Sequence, residues 1–417
     1  MAPSLFPTRS QTTWALRRAV GVAIAVPLSA AAGVMAVDRV RLRRSPPTGR
    51  FPRLESGDVR IPGDNLLTVF TEGSGLYESM LEDIRSAKSS IFLETFIWKG
   101  DALGELFKKE LTRAAHRGVD VYVVYDAFAN LVVPPSFKKL DPALHVQAHP
   151  IITGGNPFAI QTYAKNHRKL LVVDERIGYV GGYNIGQLYA DTWRDTHLRV
   201  EGPSVWELAN AFTDYWNNRR KRDQPELPDR GAGEWEPRIR AIQNLPDRML
   251  FPVRGVYIDA IDRSTVSVRI SQAYFLPDST LIDAMVRAAA RGVKVELLIP
   301  EYSNHIVVDW AARHMYQTLL EAGVRIHRFR HAMIHAKTMT VDGRWTTLGT
   351  TNVDRLSFTG NFEINLAIYD EALARHMDDV FAVDLTNSRE LTLDEWEARP
   401  RYKMVVERAM APLAPLL

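Results

Sequence analysis

Two histidines, each followed two residues later by a lysine, carry the strongest chemical signal in this chain. His167-Arg168-Lys169 opens a short apolar run, residues 170–173, that ends at Asp174. His335-Ala336-Lys337 opens a second run that ends at Asp342. A glycine pair or Gly-Thr and then an asparagine follow each run: Gly181-Gly182-Tyr183-Asn184 in the first case, Gly349-Thr350-Thr351-Asn352 in the second. Imidazole serves both as nucleophile and as proton carrier near neutral pH. Beside lysine ammonium groups and amide donors, a pair of imidazoles suits exchange at a phosphodiester. One attacks phosphorus and becomes covalently attached, and the other, protonated, gives its proton to the leaving oxygen. Lys169 and Lys337 then neutralise phosphate oxygens as point charges, and Asn184 and Asn352 add neutral donors.

The spacing argues for duplication. From His167 to His335 is 168 positions, and so is Asn184 to Asn352; a carboxylate, Asp195 or Glu363, follows each histidine by 28 positions. Two such sets in register indicate an internal repeat. Because each half supplies one histidine, the halves must meet face to face around the phosphate. Asp195 and Glu363 are expected to bond the far ring nitrogens and so fix tautomer and basicity. Asp174 and Asp342 fall at polar turns, where a structural role in local bonds of the hairpin is expected. Gly181 and Gly182 are expected to let the backbone approach a ligand closely, and Gly349 is the structural glycine of the second motif. A lysine two residues from each histidine would repel a cation, so neither a metal nor an organic cofactor is expected.

The duplicated pattern, HxKx4Dx6G(G/T)xN, resembles the signature of the phospholipase D superfamily. The flanking phrases Glu94-Thr95-Phe96-Ile97-Trp98 and Tyr274-Phe275-Leu276-Pro277-Asp278, with the ending Pro412-Leu413-Ala414-Pro415-Leu416-Leu417, are most similar to those of bacterial cardiolipin synthases. The resemblance runs from about Gly73 to Leu417. It implies two pseudo-twofold-related lobes, each a mixed β-sheet flanked by helices, with one active site between them. It also implies that the first-motif histidine, His167, is the nucleophile that carries the phosphohistidine, and that His335 is the general acid. The activity implied is a membrane-anchored phosphatidyltransferase that makes cardiolipin from phosphatidylglycerol and a second phospholipid, with phosphatidylethanolamine one candidate. The alternative is a phosphodiesterase of the same superfamily that hydrolyses phospholipid or, less in keeping with two motifs in one chain, nucleic acid.

The elements that must position these residues follow from the pattern of the chain. A hydrophobic fraction of 46% with 24% charged residues describes a globular chain able to bury a core, and a net charge of +3 is too small to imply nucleic acid. The chain has no cysteine, which excludes disulfides and thiolate chemistry. In the first half, helices are expected over residues 77–87 and 103–116 and strands over 90–98 and 119–125; the second half repeats this plan with a strand over 266–275, a helix over 279–290 and a strand over 293–299, followed by a long helix from Asp309 to Ala322 ended by Gly323. Such β-α-β units imply neighbouring parallel strands under helical cover, an α/β architecture. The helix expected over 205–218 carries Trp206, Phe212 and Trp216, read as core.

The domain reading is residues 1–53 as anchor and Arg-rich juxtamembrane segment, 54–222 as first lobe, 223–246 as linker and 247–417 as second lobe. Ala19 to Val37 is a run of 19 residues without a charge, and at ~1.5 Å per residue it nearly spans a hydrocarbon core of ~30 Å. Arg9, Arg17 and Arg18 precede it; Arg39, Arg41, Arg43, Arg44, Arg50 and Arg53 follow it. A cleaved signal peptide is the alternative, but arginines after the span oppose export. The expectation is a retained transmembrane helix, single-pass in the cell membrane, with the catalytic body on the cytoplasmic side and the arginines against an anionic membrane surface.

Overall fold

The computed structural model describes residues 9–229, 231–233 and 237–416, with the side chains of residues 9–24, 415 and 416 outside the described set. Runs such as Leu170–Val173 and Val121–Val124 are buried at every position rather than at alternate ones, as in strands covered on both faces. Among the described residues these runs build two eight-stranded sheets. The first has the order Asp58–Ile61, Asn65–Phe70, His197–Glu201, Ile177–Gly181, Leu170–Val173, Ser90–Thr95, Asp120–Asp126, His145–His149. The second has the order Ile239–Asn244, Glu363–Tyr369, Trp345–Gly349, Lys337–Val341, Ser267–Gln272, Lys294–Pro300, Arg325–Phe329, Ser388–Leu391. In each sheet three consecutive strands are parallel and the histidine hairpin joins them antiparallel, so both sheets are mixed. The hairpins share one register: Leu170 faces Val180, and Thr338 faces Leu348.

Helices cover the sheets and are bounded by local chemistry. Asp101, Asp278 and Asp370 each accept a backbone N–H in the first turn of Ala102–His116, Ser279–Ala290 and Glu371–Thr386. The Arg117-Gly118 and Arg291-Gly292 pairs stop two of these helices, with the glycines at φ 93° and 85°, where a side chain would be strained. The helix Trp206–Arg219 buries Phe212 and Trp216, as expected of core aromatics, whereas Trp206 is only half-buried. One hydrophobic cluster contains Val69, Phe92 and Val180 from the first half and Leu348, Phe362 and Leu366 from the second, so the lobes pack as a unit.

Two local expectations change. The single helix expected from Asp309 to Ala322 is instead Ile306–Ala312 and Tyr316–Glu321 joined by a 3-10 turn, Arg313–Met315. There the His314 ring bonds the Ala311 carbonyl at 2.6 Å, three residues back. The strand Ile239–Asn244 has no counterpart in the sequence reading; it pairs antiparallel with Glu363–Tyr369 and extends the sheet that carries Glu363.

The expected membrane span is corrected. The segment lies within a helix, Arg9–Arg44, but no helix among the described residues is long and apolar enough to cross a membrane. The first part of the expected span, residues 19–24, lies outside the residues whose side chains are described. Part of the remainder packs on the protein: Ala31 and Val34 are buried in a cluster with Met410, against which Val307, Trp310 and Leu413 pack, while Val26, Leu28, Met35 and Val37 are exposed. Past Val37 the helix turns charged at Asp38, Arg39, Arg41, Arg43 and Arg44. The transmembrane helix, the single-pass placement in the cell membrane and the cytoplasmic orientation inferred from it are therefore withdrawn.

Asp174 and Asp342 sit at positive φ, 52° and 54°, on the hairpin turns. Their bonds are not local to the hairpin. The Asp174 carboxylate accepts the backbone N–H groups of Lys88, Ser89 and Ser90 at 2.9, 2.7 and 3.0 Å. Asp342 accepts those of Thr265, Val266 and Ser267 at 2.9, 2.8 and 2.9 Å. Each thus ties the hairpin to the start of the neighbouring strand. Partial burial alone would raise both carboxyls, but the converging N–H donors outweigh it and hold both below the usual carboxylate range. Their stabilising effect is full above the unfolded carboxyl pKa of about 4 and is lost as pH falls through the lower folded value. Asp174→Ala is expected to cost about 1–2 kcal/mol in urea unfolding at pH 7, with the deficit shrinking below pH ~4. A deficit that does not change with pH would contradict this role.

Candidate active site

The backbone brings the two motifs together by exchanging strands' ends. His167 N–H donates to the Phe362 carbonyl at 3.0 Å, and Phe362 N–H to the Lys165 carbonyl at 2.9 Å. In the other half, Met333–Ile334 pairs in parallel with Trp193–Arg194, and His335 N–H donates to the Arg194 carbonyl at 2.6 Å. Each histidine is therefore delivered to the segment that carries the carboxylate of the opposite half.

The side chains follow that exchange. His167 Nδ1 lies 3.0 Å from both Glu363 carboxylate oxygens. His335 Nδ1 lies 2.6 Å from Asp195 Oδ2. The carboxylate that follows each histidine by 28 positions thus serves the other histidine. With Nδ1–H donated to a carboxylate, Nε2 of each ring keeps its lone pair for phosphorus or a proton. Lys169 Nζ donates to the His167 carbonyl at 2.6 Å. Lys337 Nζ donates to the His335 carbonyl and lies 2.9 Å from His335 Nδ1. All six side chains are buried.

The glycines open space for these partners rather than for a ligand. A Cβ on Gly182 would overlap the Asp195 carboxylate, and one on Gly181 would meet Thr196 and His197. In the second half a threonine replaces the second glycine. Its hydroxyl, Thr350 Oγ1, donates to Glu363 Oε2 at 2.6 Å, and Gly349 lets the strand approach Ile364 and Asn365. Asn184 Oδ1 accepts the Ile97 N–H at 3.1 Å, which leaves its NH2 group to donate elsewhere. Asn352 Oδ1 is buried without a hydrogen-bond partner among the described residues.

Several residues of the site escaped the sequence reading. Phe96 packs against His167 with ring centroids 4.7 Å apart, and Trp193 and Tyr274 pack against His335 at 4.8 and 5.8 Å. Phe96 and Tyr274 lie within phrases already noted for their resemblance, which was the available signal. The buried pair Arg168–Glu94, at 3.2 Å, backs the first motif, with Asn166 donating to Glu94 at 2.6 Å. Arg194, beside Asp195, donates to both oxygens of Asp384 at 2.8 and 2.7 Å and so ties the first half to a helix of the second.

Burial governs protonation in the site. It lowers both imidazoles. For His167 the Glu363 carboxylate partly offsets it; for His335 the neighbouring Lys337 adds to it, and the ring falls to about 3. Burial also lowers Lys169 to about 7 and Lys337 to about 8 against the pull of Glu363 and Asp195. Burial would raise Asp195, but Lys337 and His335 hold it below its usual value. His167 senses Lys337 and His335 senses Lys169, so the two motifs form one electrostatic cluster.

Comparison with known proteins agrees with this geometry. A family profile described as "Cardiolipin synthase, PLD-like domain" matches residues 80–218 and 257–385. The chain belongs to the phospholipase D family. The major cardiolipin synthase ClsA of Bacillus subtilis is 32% identical over 366 residues, covering 85% of this chain and 76% of that protein. Cardiolipin synthase 2 of Staphylococcus epidermidis is 32% identical over 365 residues, covering 84% and 75%. The crystal structure of a phosphatidylserine synthase from Haemophilus influenzae shares the fold, with a TM-score of 0.67 at 16% identity over 88% of this chain and 96% of that one. The catalytic domain architecture is that of a cardiolipin synthase-like phosphatidyltransferase of this family.

The lysine values set a pH dependence. Both ammonium groups are charged below their lowered values and neutral above them. The kcat/KM for a phospholipid substrate is expected to fall as pH rises through about 7 to 8. A rate profile that stays level until the ordinary lysine pKa of about 10 would contradict the assignment of buried, phosphate-neutralising lysines.

Proposed function

We propose that this chain cleaves the phosphodiester bond of a phospholipid by phospholipase D-type chemistry, with the halves of one site supplied by the two repeats. The observation that carries the reading is the crossed pair of carboxylate-held imidazoles flanked by two buried lysines. His167 Nε2 attacks phosphorus while the bond to the headgroup oxygen breaks, and His335 gives that oxygen a proton. In the second step His335 takes a proton from an acceptor hydroxyl, whose oxygen attacks phosphorus and frees His167. Lys169, Lys337, Asn184 and Asn352 neutralise and orient the phosphate oxygens throughout.

The acid step needs a proton on His335, which burial and Lys337 oppose by lowering the ring's pKa. A bound phosphodiester brings a negative charge next to the ring and raises its pKa. The proton is thus taken up with substrate.

The expectation of a membrane-anchored, cardiolipin-forming transferase is corrected to this broader reaction, because no helix among the described residues is long and apolar enough to provide the anchor. Water as acceptor makes the reaction a hydrolysis. A lipid alcohol as acceptor makes it a transfer, and the names of the relatives at 32% identity favour that second reading.

The test is mass spectrometry of lipid products from mixed micelles of phosphatidylglycerol and phosphatidylethanolamine. The intact chain is expected to form phosphatidic acid or a phosphatidyl-transfer product, and His167→Ala to lose about a thousandfold or more in rate. Absence of any lipid turnover by the intact chain would overturn the proposal. A trapped phosphoryl adduct is expected on His167; one on His335 would reverse the roles of the two rings.

A further inference from the structure

A second charged space lies beneath the amino-terminal helix. A cavity of about 670 Å³, open on one side, is bordered by Arg9–Arg44, Ile306–Ala312 and Arg401–Met410. It shares part of its lining with a neighbouring space of about 390 Å³. Both volumes fall in the range of small-ligand pockets. None of the residues proposed for catalysis lines either space.

The cavity is amphipathic in a defined way. Gly33, Val34 and Val37 of the amino-terminal helix face it together with Trp310 and Val406. Its charged lining is mostly cationic: Arg41, Arg313, Arg328, Arg389 and Lys403 border both spaces, against Asp38 and Glu301 in the larger one. Their compensation is incomplete. Arg389 pairs closely with Glu395 at 2.7 Å, but Arg328 reaches Glu301 only at 3.5 Å, and Arg313 reaches Glu407 at 3.7 Å while Arg399 holds the same carboxylate at 2.9 Å. Among the described residues, Arg41 and Lys403 form no ion pair within 4 Å, although Arg41 attracts Asp38 and Glu407 attracts Lys403; the Arg41 guanidinium lies over the Tyr302 ring, 4.4 Å from its centre. The crowding is felt electrostatically. Burial lowers Arg328 and Lys403, and in both cases neighbouring arginines push further in the same direction. Burial pushes the Asp309 carboxyl up to about 7, which weakens one of the few anions present.

Like charges gathered around an open space, with an apolar wall beside them, are complementary to an anionic amphiphile. Arginine forks match the oxygens of a phosphate, and the wall of Val34, Val37, Trp310 and Val406 matches a hydrocarbon tail. We propose that this cavity binds a phosphate-headed lipid, with the phosphate among Arg313, Arg328, Arg389 and Lys403 and the acyl chain along the amino-terminal helix. The site is separate from the histidine site and stands whether or not the catalytic reading holds.

Hydrogen exchange of the full-length chain, read by mass spectrometry, tests this with three probes: dioctanoyl phosphatidate, dioctanoylglycerol, which lacks the phosphate, and inorganic phosphate, which lacks the tail. Phosphatidate alone is expected to slow exchange in residues 30–43 and 306–316. Two variants are expected to weaken that protection about tenfold or more. Lys403→Ala removes a cation. Gly33→Trp fills the cavity, since a Cβ at Gly33 meets nothing within 4 Å. The comparison of the three probes needs no variant at all. The proposal is overturned by equal protection from inorganic phosphate or dioctanoylglycerol, by protection confined to residues around His167, or by protection unchanged in a correctly folded Gly33→Trp chain.

Discussion

Everything in this molecule that matters for chemistry depends on two short contacts between halves: His167 with Glu363, and His335 with Asp195. A duplicated chain could have given each half its own imidazole–carboxylate pair and two separate sites. Here each carboxylate lies on the far side of the interface from the histidine that precedes it in sequence. Neither half holds a complete pair. The shared core of Val69, Val180, Phe362 and Leu366 and the cross-lobe bond of Arg194 to Asp384 are the packing that this arrangement requires.

The same crossing explains the electrostatics. In the buried cluster two lysines face two carboxylates, and burial lowers the pKa of both imidazoles. A phosphodiester anion adds one negative charge, and one imidazolium is the natural compensation in a low-dielectric interior. Substrate binding and proton uptake are then one event, which allows a strongly depressed histidine to serve as an acid. The aromatic rings of Phe96, Trp193 and Tyr274 pack against the imidazoles and contribute to the desolvation on which this depends.

The chemistry-bearing residue types were legible in the sequence because their signal is local. Histidine, lysine, the turn aspartate and the terminal asparagine fall at fixed spacings, and the second copy removes chance. The alternation of helix and strand was legible for a similar reason, since Asp278 and Gly292 punctuate Ser279–Ala290 with their own chemistry. What the sequence did not disclose depends on contacts between distant segments. The partner of Gly182 is Asp195 rather than a ligand. Asp174 reaches residues more than 80 positions away rather than its own hairpin. The crossing of the two pairs is set by backbone contacts of His167 with Phe362 and of His335 with Arg194, which no spacing reveals. Hydropathy failed at the amino terminus for the same cause. An apolar run has no label for its destination, and the described part of this one packs Ala31 and Val34 onto Met410.

The crossing itself is best tested by nuclear magnetic resonance of the full chain carrying isotope-labelled histidine rings, in Asp195→Asn and Glu363→Gln variants. If the carboxylates are exchanged between halves, Asp195→Asn changes the ring nitrogen and Nδ1–H resonances of His335 and leaves those of His167 nearly in place, while Glu363→Gln does the reverse. A perturbation of His167 by Asp195→Asn, with His335 unmoved, would contradict the account.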